Sequence, residues 1–360
     1  MNKNKKVIAF YLPQFHTFKE NNEWWGDGYT EWNNVKNATP LFSGHLQPRI
    51  PLEGYYDLST VKDIQNQALL AKKHNIHGFC FYHYWFEGKL LMNKPAELLL
   101  SNLDININFC FSWANHNFHN KVQYKQRILL LEQTYGGKDD WINHFDYLLT
   151  FFKDDRYIKV NNKPMLILYD SKNIPNLLEM MSFFNSRALA SGFSGIHFVN
   201  TLKDYLDVDV SSKFDFAAQV EYQPYFSNYY NILKSKFYDL RRIFYKDFLK
   251  KPLLLDTKKV WKNIVRSTPK NKIDTYIGAY TGWDTSPRWG SRSIIHINGN
   301  LECFAKNFEY QINRNASNLG EFVFITAWNE WGEGAYLEPD QSNKYAYLET
   351  VKSTMDIHKG

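Results

Sequence analysis

The sequence predicts an α/β fold of the (β/α)₈ barrel class, in which eight parallel strands close into a cylinder. Eight short runs rich in β-branched and aromatic residues recur along the chain, and amphipathic helical stretches separate most of them. The alternative, a doubly wound open sheet, would place a glycine-rich phosphate loop after the first strand, and none follows it there. The 360 residues, 44% of them apolar, predict one barrel domain over 1–360.

The predicted strands are spaced so that a helix fits between most neighbours. In chain order they are Val7–Phe15, His77–Tyr84, Ile107–Trp113, Pro164–Tyr169, Ile196–Asn200, Phe214–Tyr222, Asp274–Tyr280 and Phe322–Trp328. Apolar residues at helical spacing predict helices over Ser59–Lys73, Asp139–Lys153, Ile174–Ser191, Leu301–Asn315 and Asn343–Met355. We expect Ser59 to cap the first of these helices.

Two segments exceed the length of ordinary connections. Residues 16–57, after the first strand, contain Trp24, Trp25 and Trp32 and predict a long aromatic loop over the barrel mouth. Residues 223–272, after the sixth strand, predict a basic helical insertion.

The positive charge of the chain is concentrated in that insertion. The net charge is +6, and residues 234–272 contain 13 Lys or Arg against three Asp. Within it, one helical face repeats apolar residues: Leu233, Phe237, Leu240, Phe244 and Phe248. A basic amphipathic helix of this kind favours peripheral contact with an anionic membrane through 233–251. The alternative is a stripe that packs on the barrel. Because the charge forms a patch, we expect no nucleic-acid partner.

The chain start does not resemble a secretion signal. The basic residues 1–6 precede an apolar run that Pro13 and Gln14 interrupt, and no stretch approaches about 20 apolar residues. The three cysteines have no metal-binding spacing. We therefore expect a cytoplasmic protein, either free or peripheral at the inner face of the cytoplasmic membrane.

Polar and aromatic residues follow the predicted strands, where barrel enzymes place their reactive groups. The aromatic content of 17% suits sugar faces, although an aromatic core would also account for it. With the two tryptophans of the first loop, the candidate substrate-binding residues are His16, Trp24, Trp25, Tyr82, His83, Tyr84, Trp85, Trp113, Asn115, His116, Glu221, Tyr222, Trp283, Asp284, Arg288, Trp328 and Trp331.

Two carboxylates follow the last predicted strand, in the segment from Ala327 to Gly334. Glu330 and Glu333 are separated by two residues, and the adjacent glycines allow the backbone to bend. Such a bend can direct both carboxyl groups at one glycosidic bond, as retaining hydrolysis requires. Trp328 and Trp331 would exclude water and raise the pKa of the acid. The alternative is a pair of solvated glutamates at a helix N-terminus.

The histidines do not form a metal motif. His83 suits either a sugar hydroxyl or a satisfied position inside the barrel, and His116 is open in the same way. His16, His83 and His116 lack a paired spacing such as HxH or HxxxH. We expect no metal and no cofactor.

Several motifs together resemble one known family over nearly the full chain. They are Phe10-Tyr11-Leu12-Pro13-Gln14-Phe15-His16, Trp24-Trp25-Gly26 with Thr30-Glu31-Trp32, Pro40-Leu41-Phe42 with Gly44-His45 and Gln47-Pro48, Gly54-Tyr55-Tyr56-Asp57-Leu58, Phe81-Tyr82-His83-Tyr84-Trp85-Phe86, and Trp328-Asn329-Glu330-Trp331 with Glu333-Gly334. The chain resembles the WbsX-like proteins, which carry a domain similar to glycoside hydrolase family 99.

The resemblance implies a (β/α)₈ barrel that cleaves α-mannosides with retention, through a 1,2-anhydro sugar. By position, Glu330 resembles the base that deprotonates the 2-hydroxyl, and Glu333 resembles the acid/base that protonates the leaving oxygen. This chain has Gly332 where family 99 commonly has His. It also has His116 where WbsX-like relatives often have a carboxylate.

The expected substrate is an oligosaccharide or a lipid-linked glycan of bacterial surface polysaccharide, with manno configuration as in mannose or rhamnose. WbsX-like proteins are often called glycosyltransferases, which makes transfer during O-antigen or capsule synthesis the first alternative. A nucleotide-sugar transferase usually has a doubly wound fold or an acidic metal motif, and the sequence indicates neither. A non-catalytic carbohydrate-binding barrel is the second alternative.

Overall fold

The wall of the molecule is a closed cylinder of eight parallel strands. The computed structural model describes residues 5–119, 128–269, 271–314 and 319–358. The strands are β1 (Lys6–Tyr11), β2 (Ile76–Phe86), β3 (Asn108–Trp113), β4 (Lys163–Leu168), β5 (His197–Leu202), β6 (Ala218–Glu221), β7 (Thr275–Tyr280) and β8 (Leu319–Thr326). Each pairs with the next, and β1 pairs with both β2 and β8, which closes the cylinder. The predicted barrel is confirmed.

The strands are buried on both faces because the lumen and the helix layer each cover one of them. In β1 every residue after Lys6 is buried. Aromatic rings fill the lumen: Phe10 stacks on Tyr82 with 5.7 Å between centroids and lies 5.4 Å from Phe324. Side chains alternate across the wall, so consecutive residues of one strand lie in different environments.

The helices are α1 (Lys19–Trp25), α2 (Glu31–Lys36), α3 (Val61–Lys73), α4 (Lys94–Ser101), α5 (Lys138–Phe152), α6 (Leu177–Ala190), α7 (Tyr205–Lys213), α8 (Tyr225–Tyr229), α9 (Ile232–Ile243), α10 (Thr257–Arg266), α11 (Ser286–Trp289), α12 (Leu301–Asn313) and α13 (Ala346–Ile357). None of the described helices has the length and apolarity needed to cross a membrane.

The predicted helices are present with small differences at their ends. The prediction that Ser59 caps α3 is wrong, because the Thr60 hydroxyl accepts from the Asp63 amide. The Ser59 backbone amide instead donates to the carboxylate of Asp57, two residues earlier. The predicted end of α12 at Asn315 lies outside the described residues.

The two insertions have structure of their own. The first contains α1 and α2, and Trp32 of α2 packs on Phe15 with 4.2 Å between ring centroids. The second contains α8, α9, a π-helical turn over Phe244–Leu249, a short strand Leu253–Asp256 paired with Ile294–Ile297, and α10. No residue of α9 is buried, so packing of its apolar stripe on the barrel, the alternative left by the sequence, is wrong.

Candidate active site

Three carboxylates meet one guanidinium beyond the carboxyl ends of the strands. Arg288 of α11 places Nε 2.7 Å from Oε1 of Glu31, which comes from α2. Its Nη2 lies 2.5 Å from Oε1 of Glu330, and its Nη1 lies 2.6 Å from Oε1 of Glu333. Shared contact with one guanidinium holds the two predicted catalytic glutamates close enough to act on the same bond.

Burial makes this cluster difficult to ionise fully. Burial, the largest cause, raises the pKa of Glu330 to about 8; Arg288 opposes the rise, and the neighbouring Glu333 and Glu31 add to it. Burial also raises the pKa of Glu333, again against the effect of Arg288. The pair therefore holds a proton at neutral pH. The Glu333 side chain is 21% exposed and that of Glu330 only 6%, so Glu333 is the more accessible of the two.

The segment that carries the two glutamates is fixed at three points. The Asn329 amide donates to Leu12 O at 3.0 Å and accepts from Leu12 N at 2.7 Å, which ties the segment to the end of β1. Trp331 donates from Nε1 to Glu338 at 2.6 Å. The Asp284 amide donates to the backbone oxygen of Glu333 at 2.6 Å. These contacts position both carboxylates before any substrate binds.

Glu338 supports this segment through its hydrogen bond with Trp331. Its carboxylate also accepts from the Tyr56 hydroxyl at 2.8 Å and from the Gln67 amide at 2.7 Å. Burial raises the pKa of Glu338 to about 7, although these hydrogen bonds oppose the rise. Because its oxygens bind groups of the framework, we assign Glu338 to the support of Trp331.

Gly332 is required by the cluster itself. A Cβ at this position would overlap Oε1 of Glu31 and lie 2.8 Å from Nε of Arg288. The space that a side chain would need is filled by the ion pair between these two residues. This packing accounts for glycine where the resemblance implies histidine.

Tyrosines line the lumen beside the carboxylates. The hydroxyls of Tyr82 and Tyr222 lie 2.8 Å apart, and the Tyr169 ring lies edge-on to Tyr222 with 5.4 Å between centroids. Burial raises the pKa of the Tyr84 hydroxyl, and Glu330 is the next largest cause. Tyr225 of α8 has its pKa raised in the same way, with Glu333 as the next cause. Tyrosine offers a sugar both an apolar face and a hydrogen-bonding tip.

The residues that alternate with these tyrosines lie on the other side of the wall. His83 and Trp85 of β2 and Trp113 of β3 surround His144 of α5, in the helix layer. His83 Nε2 lies 2.9 Å from His144 Nε2, and Trp85 donates to Asp140 at 2.9 Å. Burial lowers the pKa of His83 to about 3, so this imidazole is neutral. The structure does not bring these three residues to the cluster.

Glu221 also lies outside the lumen. Its carboxylate accepts two bonds from Nη1 of Arg314, at 3.0 and 2.9 Å, and one from Nη2 at 3.0 Å. Arg314 follows α12, whose Gln311 donates to Gly278 O at 2.7 Å. This buried pair joins β6 to the helix layer, whereas the next residue, Tyr222, faces the lumen.

Asp284 and Asn115 are buried in loop contacts. Asp284 accepts from His45 and Gln47, both at 2.8 Å, and so fastens the first insertion beside Arg288. Asn115 exchanges two hydrogen bonds with the backbone of Asp170. Both residues shape the loops of the mouth.

The remaining candidates divide between the rim and the interior. Trp24 packs 5.7 Å from Phe118, His116 is exposed 6.3 Å from Tyr84, and Trp283 lies edge-on to Tyr225 at 5.3 Å, all near the mouth. Trp25 packs at 5.8 Å on Tyr29. His16, Trp328 and Trp331 are buried, with contacts to Pro13 O, Phe79 and Tyr336 respectively.

Sequence reasoning missed three residues of the site. Glu31, Tyr169 and Tyr225 were not among the candidates, yet each faces the carboxylate cluster. Glu31 could have been found, because it lies in the Thr30-Glu31-Trp32 motif and is flanked by aromatic residues. Among the residues that the structure describes, no His, Cys, Asp and Glu side chains group in a way that could hold a metal ion.

Curated relatives and solved structures resemble this chain over nearly its whole length. Two proteins from strains of Xanthomonas campestris pv. campestris, both named "Uncharacterized protein WxcX", are each 31% identical over 359 residues. The matches cover 97% of this chain and 49% of each relative, so the chain spans about half the length of these relatives.

The barrel is similar to that of the GH99 endo-alpha-mannosidase from Bacteroides thetaiotaomicron, with a TM-score of 0.58, 14% identity, and coverage of 98% of this chain and 97% of that one. A structure named "Glycoside hydrolase-like protein" gives a TM-score of 0.60 and 12% identity, and covers 98% of this chain and 94% of the other. At these identities the likeness shows the shared fold.

The family itself follows from the sequence match. The model of the family described as Glycosyltransferase WbsX matches residues 7–351. Since this match runs from the first strand through the carboxylate segment to the middle of the last helix, the chain belongs to the WbsX family.

Proposed function

We propose that residues 1–360 form one catalytic barrel domain that cleaves or transfers α-manno-configured sugars with retention, using Glu330 and Glu333. The observation that carries this proposal is the carboxylate pair held by Arg288 at the carboxyl ends of the strands, beneath a wall of tyrosines. Fold and family indicate an enzyme that acts on glycans. Two carboxylates of raised pKa that share a proton supply the acid and the base that such a reaction needs.

The chemistry begins with the sugar's own 2-hydroxyl. One glutamate removes its proton, and the oxygen attacks the anomeric carbon while the other glutamate protonates the leaving oxygen. Water or an acceptor sugar then opens the 1,2-anhydro ring. In an α-manno sugar the 2-oxygen and the leaving group are trans, so in-line displacement is accessible. In an α-gluco sugar they are cis, which excludes this route.

Glu330 and Glu333 are expected to have different roles, one as the base and the other as the acid. The resemblance makes Glu330 the base, yet its raised pKa favours the proton on Glu330 in the free enzyme. The two assignments agree if substrate binding moves the proton from the deeper Glu330 to the more open Glu333. We propose this transfer, with Arg288 in contact with both carboxylates throughout.

Substrates with activated leaving groups separate the two roles. A dinitrophenyl α-mannoside needs no acid, so Glu333→Gln should retain most of its turnover on this substrate while Glu330→Gln loses it. The reverse pattern would exchange the roles. Equal, near-native turnover of both variants on a natural glycan would remove the proposed site.

A 2-deoxy or 2-fluoro analogue tests the internal nucleophile. Because the attacking oxygen is missing, the analogue should not turn over, although it should still bind. Efficient cleavage, or a trapped glycosyl-glutamate, would contradict the 1,2-anhydro route and leave the barrel assignment in place. A screen against α-mannosides, α-rhamnosides and lipid-linked oligosaccharides identifies the substrate used in both tests.

Glycosyl transfer is the second candidate, because the matching family is described as a glycosyltransferase. The same site supports both reactions, since an acceptor hydroxyl can open the anhydro ring in place of water. Incubation of substrate with excess acceptor oligosaccharide distinguishes them by the ratio of transfer product to free sugar. A product made only from a nucleotide-sugar donor, and only with a divalent ion, would contradict the two-glutamate mechanism.

The proposed substrate is a lipid-linked intermediate of bacterial surface polysaccharide. We place its processing at the inner face of the cytoplasmic membrane, with peripheral contact through residues 233–251. Support comes from the basic excess of the second insertion and from its exposed apolar helix.

A further inference from the structure

The second insertion exposes an apolar surface that is unusually large for a surface in contact with water. Of the twenty large apolar side chains that are exposed among the described residues, eight fall between 232 and 249. We call this surface the docking face; it comprises Ile232, Leu233, Phe237, Leu240, Ile243, Phe244, Phe248 and Leu249. Leu233 and Phe248 are 78% and 76% exposed. A contiguous patch of this kind marks an interaction site, whereas single exposed apolar residues are ordinary.

The charges around the docking face are almost all positive. Arg242, Lys250 and Lys251 are exposed beside it, and the Arg241 guanidinium lies 5.8 Å from the Phe237 ring. The sequence of residues 234–272 contains 13 Lys or Arg and three Asp. A second copy joined through the same face would bring these like charges together. An anionic lipid surface instead complements both the apolar stripe and its basic border.

The segment that carries the docking face adjoins the mouth of the barrel on two sides. A row of tyrosines leads from the carboxylates to α9: Tyr225 stacks on Tyr229 at 6.4 Å, and Tyr229 lies edge-on to Tyr238 at 4.9 Å. On the other side, Asp247 of the π-helical turn pairs with Arg292 at 3.5 Å, just after α11. The segment that carries the docking face therefore lies beside the active site.

We infer that the docking face binds an anionic bilayer in an orientation that sets the barrel mouth at the level of the lipid headgroups. A glycan attached to a lipid would then enter the cluster without leaving the membrane. This functional consequence rests on the proposed catalytic function; the binding and the orientation do not.

Vesicle sedimentation tests the binding. Purified chain should sediment with vesicles of phosphatidylcholine containing phosphatidylglycerol, much less with phosphatidylcholine alone, and less as salt is raised. Replacing three residues of the docking face by serine should weaken binding at least about tenfold. The test variant is Phe237→Ser with Leu240→Ser and Phe248→Ser; the matched control, also of exposed apolar residues, is Leu69→Ser with Leu103→Ser and Leu189→Ser.

Site-specific labels test the orientation. The three native cysteines are buried, so a new surface cysteine can be labelled with an environment-sensitive dye. We expect anionic vesicles to shift the fluorescence emission to shorter wavelength for dyes attached at two positions. These are Phe237→Cys, on the docking face, and Ser291→Cys, beside the mouth. A label at Leu103→Cys, in the loop that leads into the amino end of β3, should show no such shift. A shift at 237 without one at 291 would overturn the proposed orientation.

Three results would overturn the inference as a whole. They are no vesicle binding by the native chain, equal loss of binding in both serine variants, and vesicle-free self-association that only the docking-face variant removes, which would indicate a second copy as the partner. Vesicle binding by a chain that turns over no glycan would refute the proposed function alone. If both proposals hold, the docking-face variant loses turnover of vesicle-embedded lipid-linked glycan and keeps turnover of a soluble one.

Discussion

The two faces of the barrel wall use the same residue types for opposite purposes. On the lumen face, Tyr84 and Glu330 lie beside one another around a guanidinium that three carboxylates share. On the helix face, Trp85 and Glu221 make contacts with the covering layer, one to Asp140 and the other to Arg314. Tyr84 and Trp85 are consecutive, and so are Glu221 and Tyr222, yet the wall separates the members of each pair.

The two faces differ in how the charge of their buried carboxylates is balanced. Glu221 meets Arg314 in a closed pair, so its charge is balanced. In the cluster, Arg288 is shared among three carboxylates, and the pKa of two of them rises as a result of burial and repulsion. Groups with incompletely balanced charge are those that exchange protons, which is the property that acid–base chemistry needs.

The largest expected effect is on the lumen face. Glu330→Gln and Glu333→Gln should each lower kcat/KM on a natural glycan about 10²–10⁴-fold, the usual contribution of a general acid or base. Thermal unfolding should stay near native, because glutamine resembles the protonated carboxyl that the cluster already favours. Native turnover together with reduced stability would place these residues in a structural role and erase the contrast between the faces.

The next effect is on the helix face. Arg314→Met should lower the free energy of unfolding by about 3–5 kcal/mol, because it leaves Glu221 buried without its partner. Activity per folded molecule should be unchanged. Arg187→Met, at an exposed pair with Asp146, is the matched control and should cost about 0–1 kcal/mol in urea denaturation. Similar losses of stability in both variants would contradict the conclusion that Arg314 balances the buried charge of Glu221.

Consecutive residues of β2 provide the most direct test. Trp85→Phe should reduce stability by about 1–3 kcal/mol, since Asp140 loses its donor, and should leave kcat/KM unchanged. Tyr84→Phe should do the reverse, with kcat/KM about tenfold lower and unfolding near native. Paired measurements of urea unfolding and initial rates decide the matter; effects of the same kind in both variants would mean that the wall does not separate function from stability.

A pH dependence of stability is also expected. The folded pKa of Glu330 is raised to about 8 and that of Glu338 to about 7, against an ordinary value of 4.5. Between these limits the folded protein holds protons that the unfolded chain has released, so stability falls as pH rises from about 4.5 to about 8. Melting temperatures across this range should fall less in Glu330→Gln. A melting temperature that rises with pH would contradict the raised values.

Much of the site could be predicted because its residues follow strands. Glu330 and Glu333 stand just after β8, Tyr82 and Tyr84 lie in the last part of β2, and Tyr222 follows β6 directly. Prediction was incomplete for Glu31, because the first insertion reaches the mouth only through tertiary packing. The stripe of α9 was recognised from its spacing, but its exposure depends on what the rest of the chain leaves uncovered.

By itself, the sequence determined the order of strands and helices, the barrel class and the position of the carboxylates, because periodicity and strand ends are local properties. Only the tertiary structure decided which alternate residues face the lumen, since a shift of one position exchanges the two faces of a strand. It also decided that Arg288 collects three carboxylates and that Gly332 must be glycine. Residues from α2, α11 and the segment after β8, far apart in the chain, meet there only when the barrel closes.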